Sequence, residues 1–147
     1  MIDGNSDDAI RAILNTTRRV ALVGASAKPS RPSHGVMRFL LDRGYEVTPV
    51  NPGLAGKTIH GRLVVGSLGE AGPLDMVDVF RNASYVGPLV DEVIGLGART
   101  IWMQLGVVDE PAAKKARDAG IAVVMDRCPV IEDRRIGPIG PAASQSP

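Results

Sequence analysis

Val20-Ala21-Leu22-Val23-Gly24-Ala25-Ser26-Ala27-Lys28-Pro29-Ser30-Arg31 carries four apolar residues into a turn of small residues and then into two separated cations. An apolar run of this length, stopped by glycine, reads as a buried strand. Beyond it Ser33 begins a helix with Val36, Phe39 and Leu40 on one face, ending at Gly44. A second strand follows over 46–50, closed by Asn51-Pro52-Gly53, because proline forces the residue before it into an extended or turn conformation. These segments make one β-α-β unit.

The same alternation continues along the chain. Residues 54–72 are glycine-rich, with an apolar patch at 63–65 that predicts a brief strand, and 75–80 have strand character. Ser84 is expected to cap a helix bearing Val86, Val90, Val93 and Ile94, with Pro88 in its first turn and Gly95 and Gly97 at its end. Residues 100–105 form the next strand. Asp109-Glu110-Pro111 has the acidic, proline-containing start of a helix that runs over 112–119 to Gly120, and 121–125 is the last strand. Strands alternating with helices specify an α/β fold, a Rossmann-like doubly wound, mostly parallel sheet with helices on both faces, here over 18–136. Ahead of it Asp7 or Asp8 is expected to cap a helical arm over 1–17, whose Ile10, Ile13 and Leu14 pack on the body. The segment 137–147, rich in Pro, Ala and Ser, is expected to be a disordered tail.

With 147 residues the chain fits one domain, and 44% apolar against 22% charged residues is the balance of a globular protein. A net charge of +1 gives no general attraction to nucleic acid or membrane, and 3% aromatics leave few stacking platforms for single strands. Any anion site must therefore be local. Cys128 is the only cysteine, which excludes an internal disulfide and a multi-cysteine metal site and fits a reducing, cytoplasmic setting. Asp3, Asp7 and Asp8 stand where an export signal would carry a basic region, and no apolar run approaches a membrane span, so neither export nor membrane insertion is expected.

In sheets of this kind ligands settle outside the carboxyl ends of the strands, which directs attention to 24–31, 51–52, 81–82, 104–106 and 126–128. Gly24 admits backbone angles closed to other residues, and Ala25 and Ser26 are small enough for a diphosphate to approach the amide edge and the next helix N-terminus. A tight β-α turn needs a glycine for its own sake as well. Lys28 and Arg31, held apart by Pro29 and Ser30, form a candidate phosphate clamp beside that turn, or else a solvated loop. Gly24 supplies only one glycine of the G-x-G-x-x-G fingerprint, so ordinary dinucleotide binding is not automatic. Asn51 stands where an NAD enzyme carries an acid, which permits a phosphorylated ribose, as in NADP or coenzyme A, unless it only ends a strand. Arg81 either reaches a ligand or pairs with an acid such as Asp78 or Asp126. His34 and His60 have no partners at metal-ligand spacing and read as ordinary polar residues, so no metal is expected. Cys128 is either a thiol activated by Arg127 or a small packing residue. No Ser-His-Asp or Cys-His-Asn arrangement emerges.

Val23-Gly24-Ala25-Ser26, Pro29-Ser30-Arg31-Pro32-Ser33, Pro49-Val50-Asn51-Pro52, Val77-Asp78-Val79-Phe80-Arg81, Trp102-Met103-Gln104-Leu105-Gly106 and Val124-Met125-Asp126-Arg127-Cys128 resemble, in this order, the stand-alone CoA-binding domain proteins. These are related to the N-terminal domain of the succinyl-CoA synthetase α subunit, and the resemblance spans residues 18–135. It implies that Gly24, Ala25, Ser26, Lys28 and Arg31 hold the phosphates of coenzyme A, with Asn51 and Pro52 bordering the nucleotide. It further implies that Arg81 and Asn82 help enclose the ligand and that Gln104 and Gly106 border the pantetheine path. The ligase half of that synthetase, with its phosphorylated histidine, has no counterpart here. The expected function is therefore binding of coenzyme A or an acyl-CoA by a carrier, sensor or accessory module. An NADP-dependent reductase using the same sheet edge is the alternative, and a mixed disulfide between Cys128 and the CoA thiol is a third possibility.

Overall fold

Five strands, β1 (Arg19–Val23), β2 (Glu46–Val50), β5 (Met76–Val79), β6 (Thr100–Met103) and β7 (Ala122–Val124), form one parallel sheet in the order β2-β1-β5-β6-β7 in the computed structural model, which describes residues 2–141. The expected α/β fold is the one observed. Helices α2 (Pro32–Asp42), α3 (Val86–Leu96) and α4 (Glu110–Asp118) are the crossovers, flanked by α1 (Asp7–Thr16) and α5 (Pro129–Ile136). Between β2 and β5 lies a two-stranded hairpin, β3 (Thr58–Ile59) and β4 (Arg62–Leu63).

Alternate residues of each strand serve opposite layers, because successive side chains point to opposite faces. Ala21, Val23, Val77, Val79, Ile101 and Met103 pack with α3 and α4, whereas Val20, Leu22, Met76, Trp102 and Val124 pack with α1 and α2. Burial on both faces explains the unbroken apolar runs in the sequence. The indole of Trp102, wholly buried, donates to the Arg127 carbonyl at 2.8 Å.

Several boundaries differ from expectation. Ser6, not Asp7 or Asp8, caps α1 by accepting from the Ala9 amide at 3.1 Å, and the two aspartates occupy the first turn, where they favour the positive end of the helix dipole. Ile10 and Leu14 are fully buried, so the arm is part of the core. Asn82, not Ser84, accepts at 3.0 Å from the Ser84 amide and starts a short 3-10 turn that leads into α3. His60 and Gly61, at φ 49° and 77°, make the tight turn joining β3 to β4, while Val65 pairs in parallel with Val50. Helix α5 had no signal in the apolar pattern, since its two turns carry Glu132, Asp133, Arg134 and Arg135; Pro129 at its first position and ion pairs of those side chains support it. The tail expected from Gly137 does not begin there. Ile139 is buried, its carbonyl accepts from Arg43 at 3.1 Å, and the Gly140 amide donates to Asn15. Residues 142–147 lie outside the described residues.

Asp78 sits fully buried in the middle of β5, in register with Leu22 and Trp102. Desolvation pushes its carboxyl well above the ordinary aspartate range, so the fold favours its neutral form. An acid whose folded pKa is raised contributes its full stability below the unfolded pKa and loses it as pH rises toward the folded value. This group should therefore make wild-type stability fall as pH rises above about 4, by at most about 1.4 kcal/mol per unit. Asp78→Asn should flatten that slope, and urea denaturation of both proteins across this range checks it.

Candidate functional site

The strand register brings Gly24, Asn51, Phe80 and Gln104 to one level at the carboxyl edge, because Val23 pairs with Val50 and Val79, and Val79 with Met103. A cavity of about 1020 Å³ opens there. Of the residues expected at the site, Gly24, Ala25, Ser26, Lys28, Arg31, Asn51, Arg81, Asn82, Gln104 and Gly106 line it. Pro52 does not; it lines an adjoining cavity of about 300 Å³, on whose wall Arg81 also lies. Sequence reasoning missed Ser33, Val36, Leu54, Phe80 and Val107 among the lining residues, although their places shortly beyond strand ends or in the first two turns of α2 were a usable signal.

Gly24 is glycine for two reasons. Its φ is 88°, and a Cβ would stand 2.6 Å from the Phe80 carbonyl oxygen and 3.1 Å from Arg81 Cδ. The Gly24 and Ala25 amides both donate to the Val50 carbonyl, at 3.1 and 3.3 Å, so these two are already engaged. Among the described residues nothing accepts from the Ser26 and Ala27 amides, which leaves them as the turn's donors toward a ligand. Ser26 Oγ accepts from the Lys28 amide at 3.1 Å and the Arg31 amide donates to the Lys28 carbonyl at 3.0 Å, which shapes the loop before α2. Arg31 is the N-cap of α2 and makes no side-chain cap there.

Asn51 has a structural cause that its sequence position hid. Its Nδ2 donates to the Ala25 carbonyl and its Oδ1 accepts from the Gly53 amide, both at 2.8 Å. An aspartate has no donor for the Ala25 carbonyl, so the absence of an acid at this strand end follows from tying two loops together as well as from any ligand.

The Arg81 guanidinium lies 3.9 Å from the Tyr85 ring centroid. Asp126 accepts from the Gly106 amide at 2.8 Å. The Arg127 guanidinium is engaged by Asp3, Asn5 and Glu132, so the activation of Cys128 expected from it loses its basis. Cys128 itself is buried and lines the cavity. His34 and His60 pack on each other, with ring centroids 4.1 Å apart, and neither lines the cavity. No group of three or more His, Cys, Asp or Glu placed to hold a metal occurs among the described residues. Lys28, Arg31 and Arg81 are thus the charged groups on the cavity wall, and no carboxylate among the described residues lines it.

A doubly wound parallel sheet with a large, cation-lined cavity at its strand ends places the protein among the Rossmann-like α/β domains. The sequence profile of the CoA binding domain family matches residues 18–134, and the chain belongs to that family. It is 38% identical over 120 residues to the uncharacterized protein YneT of Bacillus subtilis, covering 81% of this chain and 87% of the relative. Prb, the PH1109 protein redesigned for binding, superposes with a TM-score of 0.88 at 36% identity, over 92% of this chain and 95% of Prb. The cell-free ID.343 protein from Thermus thermophilus does so with a TM-score of 0.85 at 38% identity, over 90% and 99% of the two chains. No helix among the described residues is long and apolar enough to cross a membrane.

Proposed function

We propose that this protein binds coenzyme A or an acyl-CoA in the large strand-end cavity and acts as a cytoplasmic, non-catalytic carrier, sensor or accessory module. The observation that carries the reading is a cavity of about 1020 Å³ whose wall holds three cations and no acid among the described residues. Such a lining favours a long, multiply charged anion. Ser26, Ala27 and the N-terminus of α2 add backbone donors beside Lys28 and Arg31. Family membership supports the same ligand. The two histidines engage each other rather than the cavity, which supports a binding role over acid-base chemistry.

Thermal shift with CoA, acetyl-CoA, dephospho-CoA, NAD and NADP tests it. CoA should stabilise the fold by about 2.7 kcal/mol at a hundred times its dissociation constant. Lys28→Ala and Arg31→Ala should each weaken CoA by about 1.5 kcal/mol, roughly tenfold, as should removal of the ribose 3′-phosphate. Equal affinity for CoA and dephospho-CoA removes the 3′-phosphate contact from the account. Stabilisation by NADP and not by CoA replaces the reading with that of an NADP-dependent reductase.

A further inference from the structure

We propose that Asp126 is a positioning residue for the uncharged, thiol-bearing arm of the ligand, an inference that rests on the CoA reading. The sheet order puts the ends of β6 and β7 on one side of the β1 turn and the end of β2 on the other. On the β6-β7 side the cavity wall is made by Gln104, Leu105, Gly106, Val107 and Cys128, none of them charged, whereas Lys28 and Arg31 stand on the β1 loop and Arg81 follows β5. A ligand with its phosphates at the cations and a neutral arm reaching the other wall matches this division.

The neutral wall consists of two separate loops, and a hydrogen bond from Gly106 to Asp126 joins them. Gln104 to Val107 is a tight turn, closed by the Val107 amide donating to the Gln104 carbonyl at 2.9 Å, with Gly106 at φ 81°. Asp126, just beyond β7, accepts from the Gly106 amide through Oδ1 at 2.8 Å. Asp126 has φ 58°, a conformation uncommon for a residue other than glycine, and its neighbours hold it there. The Met125 amide donates to Asp3 at 3.0 Å, and the Arg127 carbonyl accepts from Trp102 at 2.8 Å. The core thus fixes Asp126, and Asp126 fixes the turn that presents Leu105. Leu105 is 55% exposed, so its own packing does little to hold the turn.

Binding of CoA and of adenosine 3′,5′-bisphosphate, which has the phosphorylated nucleoside but no arm, separates this role from a general structural one. Asp126→Gly keeps the left-handed backbone and removes the acceptor; it should weaken CoA about tenfold and the bisphosphate less than about twofold. Asp126→Asn, which retains an acceptor and tolerates the backbone, should stay within about twofold of wild type for both. Hydrogen exchange of the Gly106 amide, read without ligand, should speed up in Asp126→Gly and not in Asp126→Asn. Equal loss for both ligands, no loss for CoA, a failed rescue by asparagine, or unchanged Gly106 exchange overturns the proposal. Wild-type protein that binds neither ligand overturns the CoA reading itself.

Discussion

Arg127→Ala should lower folding stability by about 3–5 kcal/mol, the largest effect expected of any single substitution considered. The guanidinium is 2% exposed and bonds Asp3 through both Nε and Nη2 at 2.9 Å, Glu132 at 2.6 Å and the Asn5 carbonyl at 3.0 Å. Its carboxylate partners are as deeply buried, at 0% and 4% exposure. Alanine leaves the Asp3 carboxylate out of water without its cation and Glu132 with Arg135 alone, and uncompensated buried charge is what makes the loss large. Burial alone would raise both acids, but the Arg127 guanidinium and the Asn5 and Met125 amides hold Asp3 well below the usual carboxylate range, and Arg135 with Arg127 lowers Glu132. Groups with depressed folded pKa values contribute stability above their unfolded values, near pH 4, and lose it as pH falls. The gap between wild type and Arg127→Ala should therefore be full at pH 7 and narrow below about pH 4. Chemical denaturation at pH 7 and pH 3.5 measures both; a gap independent of pH would show that lost packing, not charge, dominates.

Gly24→Ala should be the second largest. The backbone at φ 88° costs a Cβ-bearing residue on the order of 1–2 kcal/mol, and the Cβ must displace the Phe80 carbonyl from 2.6 Å. That carbonyl belongs to backbone directly before Arg81, so the clash cannot be relieved by a side-chain rotation. A total of about 3 kcal/mol is expected, together with at least tenfold weaker CoA binding, because Phe80 and Arg81 line the cavity. Gly44→Ala is the control: φ is 95° there and nothing lies within 4 Å of its Cβ. It should cost only the backbone part, about 1 kcal/mol, and leave binding unchanged. Equal stability losses at the two positions would refute the close approach at Phe80.

The central strands were legible because burial on both faces writes them as continuous apolar runs, and Gly24 because a turn between buried strand and helix leaves few residue types open. Where chemistry was shared with distant chain, the same letters left alternatives open. Asn51 read either as permitting a phosphorylated ribose or as only ending a strand; its amide bridges Ala25 and Gly53, and it lines the cavity as well. Cys128 read either as a thiol activated by Arg127 or as a small packing residue; Arg127 is engaged instead by Asp3, 124 residues away in sequence. Helix α5 was invisible because its polar side chains are satisfied by ion pairs with other elements, such as Arg43 with Asp133 and Asp7 with Arg135, and carry no apolar period.

By itself the sequence determined the alternation of strand and helix, the carboxyl-edge turn at Gly24 and the cations that follow it, since periodicity and backbone sterics act within one strand or one turn. Only the tertiary structure decided which amides of that turn are already engaged by Val50, that Asp3 and Glu132 neutralise Arg127, and that Asp126 joins the two loops beside Cys128. Those outcomes depend on which groups meet through space in a medium poor in water, where a charge or an amide must find a partner wherever the chain brings one.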